Sequence, residues 1–291
     1  MPEGHTLHRL ALDLTDAFAG QQVRVGSPQG RFDAEARQLD GQVLESAEAW
    51  GKQLFLEFPG ERFVHIHLGL IGKLAITPYD GEVPPPVGQV RLRLVGREHL
   101  ADLRGATACD LWTLEQRDAC VAKLGPDPLR DPEDGGDPDR AWKRIGGSQR
   151  SIASLLMDQA VLAGVGNVYR AELLFRHRVD PLRPGASLSR RQWDAMWDDL
   201  VGLMRTGVER NRIDTVRDEH TPEAMGRDPR VDDHGGEVYV YRRAGQPCHV
   251  CGAVIRTAAL EGRNLFWCPG CQRRYRPRTA VRAVRGATPR R

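Results

Sequence analysis

Cysteines stand at positions 248, 251, 268 and 271, reading CHVC, sixteen intervening residues, then CPGC. Two Cys-x2-Cys turns at that separation suit four thiolates converging on one tetrahedral zinc. Two disulfides or an iron-sulfur cluster are the alternatives. The absence of a secretory signal disfavours the first, and the hairpin-like interval RTAALEGRNLFW disfavours the second. Four protein thiolates leave no open position for water, so the zinc is read as structural. Its consequence lies in what the knuckle presents. Arg256, Arg263 and Asn264, with Phe266 and Trp267 behind them, suit a hairpin that carries guanidinium to a phosphate. A metal clip that merely stabilises a small subdomain is the plainer alternative.

The other chemistry sits at the opposite end, where the chain opens MPEGHT. A small second residue favours removal of the initiator methionine, which would leave Pro2 as a free secondary amine. Attack of that amine on a sugar C1′ gives an iminium ion, cationic at any pH and a strong electron sink for elimination. Ordinary α-amino groups titrate near 7.7 to 8.0, and the positive end of a helix starting after Glu3 would disfavour the protonated form. Glu3 could then protonate a departing group if burial raises its pKa. On the residues alone, Met-Pro-Glu is more often an ordinary chain start.

These groups need elements to hold them. Leu7, Leu10, Ala11, Leu14 and Phe18 recur at helical spacing and end at Gly20, so a helix anchors the first residues. From about 21 to 107 the segments QVLESA, KQLFLEF, RFVHIHL, KLAI, QVRLRLV and HLADLR alternate between turns, which predicts an antiparallel sandwich or barrel. A further helix is expected near 113–124. DPEDGGDPDR at 131–140 reads as a linker. The stretch 141–207 is mostly helical, with AGVGN joining two helices, and 208–236 is charged and irregular. The fold class expected is α+β, divided into a catalytic domain at 1–126, a linker at 127–140, a helical domain with its loop at 141–236, a zinc finger at 237–275 and a basic, disordered tail at 276–291.

Composition bounds the setting. The 291 residues are 40% hydrophobic and 28% charged, as expected of a soluble chain, with no run able to span a bilayer. A cytoplasmic protein is therefore expected. The formal charge is +3, but residues 272–291 carry eight arginines and no acid, so the rest of the chain stands near −5. Nucleic-acid binding thus needs a local basic surface. Cys109 and Cys120 read as small hydrophobes in a reducing compartment.

Taken in order, PEG at the start, the lysine of AWGKQLF, HLGLIGKL, LGPDPL, LLMDQAVLAGVGNVYRAELLF, CHVC and EGRNLFWCPGC resemble the formamidopyrimidine-DNA glycosylase and endonuclease VIII family. The resemblance runs from residue 2 to 271. PEGHT and LLMDQAVLAGVGN sit closest to the endonuclease VIII branch, especially its actinobacterial second paralogue. It implies a helix-two-turn-helix domain and bifunctional base excision on damaged DNA. By the resemblance Pro2 is the Schiff-base nucleophile, Glu3 the acid and Lys52 a further catalytic acid or phosphate contact. Asn167 is the phosphate grip of the helical turn, and Arg263 of the zinc hairpin counts with Pro2, Glu3 and Lys52 among the catalytic residues. Base loss followed by β- and δ-elimination would leave phosphates on both sides of a nick.

From the residues themselves, Lys52 follows a turn glycine, Gly51, and is otherwise a solvated strand charge. Asn167 also suits a helix cap. Leu70 fits a wedge that fills the gap left by a flipped base, or a core strand residue. DLRGAT at 102–107 keeps Arg104 but lacks the phenylalanine of the family's opposite-strand probe. Weak opposite-base discrimination is expected, with activity on single-stranded or bubble DNA. The expectation is a monomeric glycosylase and AP lyase acting mainly on oxidised pyrimidines; an oxidised-purine glycosylase and a catalytically silent damage-binding protein are the rivals.

Overall fold

The computed structural model describes residues 2–231 and 236–277. The initiator methionine and most of the basic tail, on which two expectations rest, lie outside the described residues. The first helix, α1 (Gly4–Phe18), buries Leu7, Ala11, Leu14 and Phe18 along one face. It is followed by β1 (Arg24–Gly26), α2 (Asp33–Leu39), β2 (Ser46–Trp50), β3 (Gln53–Phe58), β4 (Arg62–His67), β5 (Lys73–Pro78), β6 (Val90–Val95), β7 (His99–Arg104) and β8 (Ala108–Thr113). Two four-stranded antiparallel sheets result, ordered β1-β6-β7-β5 and β2-β3-β4-β8.

Between the sheets Leu54, Leu56, Val64 and Ile66 meet Leu92, Leu94, Ala101 and Leu103, with α1 laid against the same core. The near-continuous apolar run of β3 has a second cause. Phe55 points away from that core into an aromatic group with His65 and Trp112, and the rings of His65 and Trp112 stack at 3.7 Å. A strand covered on both faces need not alternate.

The helix α3 (Leu114–Val121) begins at a capping box made by Thr113 and Gln116. The second lobe comprises α4 (Pro138–Ile145), α5 (Ile152–Met157), α6 (Asn167–Arg176), α7 (Arg190–Arg210) and α8 (Pro222–Met225), then the hairpin β9 (Arg256–Leu260) and β10 (Arg263–Trp267). Its core joins Ile145, Leu155, Leu173, Trp193 and Leu200 to Tyr239, Tyr241, Leu265 and Phe266. The 208–236 region is less irregular than its charges suggest. α7 runs on to Arg210, and a 3-10 turn at Asp218–His220 leads into α8. The Glu172 carboxylate ties this region to the segment after it, accepting from Thr215 Oγ1 at 2.7 Å and from the amides of Tyr239, Val240 and Tyr241 at 2.6 to 2.8 Å. No helix among the described residues is long and apolar enough to cross a membrane.

Candidate active site

Three glycines bring the parts together. Gly4 opens α1, Gly51 lies in the β2–β3 turn and Gly164 in the turn before α6. The Gly4 amide donates to the Gly164 carbonyl at 2.8 Å. A Cβ on Gly4 would stand 2.8 Å from Gly164 Cα, and one on Gly51 would stand 2.8 Å from Gly164 N and 2.9 Å from Ala163 Cβ. Only bare backbone lets the chain start, the sheet and the helical turn meet this closely.

Glu3 is fully buried by this meeting. Its carboxylate accepts from the amides of Gly166 and Val168 at 2.8 Å each and from Tyr169 at 3.4 Å. It therefore caps α6 from another lobe, with negative charge at a helix N-terminus. Burial pushes the carboxyl above its ordinary value, against the pull of the Lys52 ammonium and the three amides. The result is an acid that keeps its proton to higher pH than a solvated glutamate.

Lys52 occupies the second position of a two-residue turn closed by the pair Trp50 and Gln53. Gly51, with φ +58, supplies the left-handed first position that such a hairpin requires. Lys52 Nζ donates to the Val165 carbonyl at 2.8 Å. Burial lowers its pKa, Glu3 opposing and Arg263 and Arg170 adding to the fall. The opposite hairpin, β9–β10, turns through Glu261 and Gly262, both at positive φ, and places exposed Arg263 at its tip. The charges of Lys52, Glu3, Arg170 and Arg263 thus act on one another in one small volume.

Asn167 is buried at the first turn of α6. Its Nδ2 donates to the Asn264 carbonyl at 3.0 Å, and its Oδ1 accepts from Arg170, whose guanidinium also reaches Asn264 O at 3.2 Å. The side chain read as a phosphate grip here also ties the helical turn to the zinc hairpin. Arg170 is almost fully buried, yet sequence reasoning missed it, because along the chain it looks like an ordinary helix arginine.

Pro2 is half-buried and lines a cavity of about 450 Å³ together with His5, Thr6, Arg9 and Asp13 of α1, Leu70 and Ile71 of the β4–β5 loop, and Arg212 after α7. His5 is buried edge-on against Tyr169 at 5.4 Å, and burial drops its pKa to about 4, so the imidazole is neutral. Leu70 is 50% exposed and Ile71 84% exposed, a pair of bare branched side chains on a loop and not in a core strand. The turn after Arg104 lies beside Ile71, where a Cβ on Gly105 would stand 3.4 Å from the Ile71 carbonyl, and Thr107 N donates to His67 O at 2.9 Å. Arg104 itself is engaged within the protein, donating to Asp102 of its own strand and to the Val87 carbonyl of the segment before β6 at 2.8 Å each.

Cys248, Cys251, Cys268 and Cys271 lie with all four Sγ atoms within 4.8 Å of one another. Cys248 and Cys271 are 3.8 Å apart and Cys251 and Cys268 3.4 Å. Four sulfurs at the usual zinc bond of about 2.3 Å stand about 3.8 Å apart, so the cradle fits the ion. Gly270 is required there, since a Cβ would meet Cys251 Sγ at 2.8 Å.

Comparison with known proteins agrees with this arrangement. The formamidopyrimidine-DNA glycosylase N-terminal domain matches residues 1–109, that family's H2TH domain matches 124–218, and the zinc finger found in FPG and IleRS matches 245–274. The zinc is thus structural. Endonuclease 8 1 of Mycobacterium tuberculosis and of Mycobacterium bovis are each 54% identical over 277 residues, spanning 94% of this chain and 100% of theirs. Their name carries the number 1, where the motifs suggested a second paralogue. Formamidopyrimidine-DNA glycosylase of Methylococcus capsulatus is 32% identical over 288 residues, covering 94% of this chain and 99% of its own. Among solved structures, Lactococcus lactis Fpg in complex with abasic-site DNA shares the fold, with a TM-score of 0.75 at 21% identity over 94% of this chain and all of that one.

Proposed function

The chain belongs to the formamidopyrimidine-DNA glycosylase and endonuclease 8 family of base-excision glycosylases with AP lyase activity, and we propose that it removes mainly oxidised pyrimidines through a Schiff base on Pro2. The observation that carries the proposal is the junction of Pro2 and Glu3. One residue lines an open cavity beside a bare hydrophobic loop, and the next holds a buried carboxyl whose pKa is raised.

In the proposed course, Met1 is removed and DNA docks across the two lobes. Leu70, with Ile71 next to it, enters the stack as the damaged base swings into the cavity. The Pro2 amine bonds to C1′ while the glycosidic bond breaks, and Glu3 supplies the proton that the base or ring oxygen takes. The C1′–O4′ bond then opens, O4′ taking a proton, to leave the iminium ion. This acidifies C2′–H, whose proton is lost as the 3′ phosphate leaves by β-elimination, and loss of the C4′ proton expels the 5′ phosphate by δ-elimination. Lys52, Asn167, Arg263 and the Arg104 loop are assigned to the DNA backbone and the gap. The zinc ion fixes the hairpin that presents Arg263, and enters no bond-breaking step.

We take the enzyme to act as a monomer with weak preference for the base opposite the lesion, and so on single-stranded or bubble DNA too. Arg104 already bound to Asp102 and Val87 supports that reading. The test is borohydride trapping on an oligonucleotide with one abasic site, the adduct being located by mass spectrometry. An adduct on Pro2 is expected. No adduct from zinc-loaded protein that begins at Pro2 would overturn the lyase mechanism. Excision of 5-hydroxyuracil, dihydrouracil and 8-oxoguanine, measured side by side, decides between pyrimidine and purine.

A further inference from the structure

The segment after α3 contributes a carboxylate to which the proposed chemistry gives no role. Asp127, in LGPDPL, is 1% exposed and meets three donors from three parts of the chain. It accepts from the Gly51 amide at 2.7 Å, from the Leu129 amide at 3.0 Å and from His8 Nε2 of α1 at 2.8 Å. Buried carboxylates are retained where their bonds fix something, because each unsatisfied partner is costly. What is fixed here is the turn that carries Lys52.

The rest of the segment closes on the same hairpin. Arg130 donates to the Ala49 carbonyl at 3.1 Å and lies 3.6 Å over the Trp50 ring. Gly125 N donates to Gln159 O at 2.8 Å, and Gln159 Nε2 shares the Val165 carbonyl with Lys52. Lys52 is therefore held at both ends, its backbone through Gly51 and Asp127 and its ammonium through Val165. The stretch that reads as a linker is a clamp on one charged side chain.

We propose that Asp127, seated by His8, is a positioning residue that sets the Lys52 ammonium at the reacting sugar phosphate. This rests on Lys52 acting at the lesion. Asp127 touches no substrate; it works only through Gly51.

A double-mutant cycle separates this role from ordinary stabilisation. Single-turnover trapping on abasic-site DNA is measured for the full-length zinc-loaded protein, for Asp127→Asn, for Lys52→Ala and for the double variant. Binding to a tetrahydrofuran-containing duplex, which cannot form the Schiff base, reports on the fold. Asp127→Asn is expected to slow trapping about tenfold with duplex affinity kept, and to add nothing in the Lys52→Ala background. Losses that multiply in the double variant, or no loss in the single, would overturn the proposal. If Lys52→Ala alone has no effect, it is the assignment of Lys52 to the lesion that fails. Should Asp127→Asn not fold, the same cycle run with His8→Phe, which removes one donor and keeps the turn's own bond, decides the matter by the same two outcomes.

Discussion

The carboxylate of Glu3 accepts the amide hydrogen of Val168 at 2.8 Å across 165 residues of chain. One group therefore caps a helix in the second lobe and, in the proposed course, also supplies a proton beside Pro2. Replacing it by glutamine keeps an acceptor for the cap and removes the acid. Glu3→Gln is expected to lower base excision by about 10² to 10⁴, the usual span of general acid catalysis. Cleavage of a preformed abasic site should suffer less, because the base has already gone. Single-turnover rates on the two substrates check this; equal losses would place Glu3 in the lyase steps as well.

The same acid fixes the sign of the pH response. Its folded pKa is raised by burial, so the protonated form survives above the range of an ordinary glutamate and is lost as pH rises through the raised value. Base excision by the wild type should fall on that alkaline side. The limb should be absent from the residual activity of Glu3→Gln, and rates measured from pH 5 to 9 for both proteins show whether it is.

Much of this site is legible in the sequence, and the reason is local spacing. CHVC, CPGC and AGVGN are short contiguous patterns whose geometry is local, whereas the Pro-Glu start gains its reading only through the resemblance, since on the residues alone it is an ordinary chain start. Asp127 and Arg170 lie within LGPDPL and NVYRAELLF, yet their roles depend on Gly51 and Asn264, placed beside them only by the fold. His5 reads as a polar helix residue until Tyr169 is laid against it. Among the strands, ACDLWT at β8 escapes notice because the inward alternation of Cys109 and Leu111 is obscured by Trp112, an apolar residue on the outward face beside Asp110, and β1 is only three residues long.

Zinc removal should act on DNA binding through a defined contact. The hairpin presents Arg263 and offers the Asn264 carbonyl to Asn167 and Arg170. Chelation, or Cys271→Ser, is expected to free the hairpin, leave Arg170 without its main-chain acceptor and weaken duplex binding at least about tenfold, since structural zinc contributes folding free energy directly. Metal content and fluorescence anisotropy measured on the same sample test the link. Full affinity in metal-free protein would refute it.

The glycine junction makes a prediction about geometry. A methyl group on Gly51 must displace Gly164 N or Ala163 Cβ, and its φ of +58 disfavours any other residue. Gly51→Ala is expected to destabilise the protein by about 1 to 3 kcal/mol, as overpacking and backbone strain do. Trapping on abasic DNA should fall further than the folded fraction alone explains. Thermal unfolding and trapping at a temperature where the variant is fully folded separate the two effects.

Leu70 and Ile71 stand bare on the loop that faces the cavity. Large exposed apolar side chains next to one another are unusual on a monomer's surface unless something covers them. Filling the gap left by a flipped base would do so, and extrusion from a duplex is uphill by a few kcal/mol. That penalty is small when the base is already unstacked. Leu70→Ala is therefore expected to slow excision from duplex DNA by about tenfold or more while leaving excision from single-stranded DNA nearly unchanged. Arg104 commits its guanidinium to Asp102 and to the Val87 carbonyl, so rates across the four opposite bases should differ little in either protein. If Leu70→Ala slowed both substrates alike, the wedge assignment would fail, and Leu70 would count as part of the cavity wall.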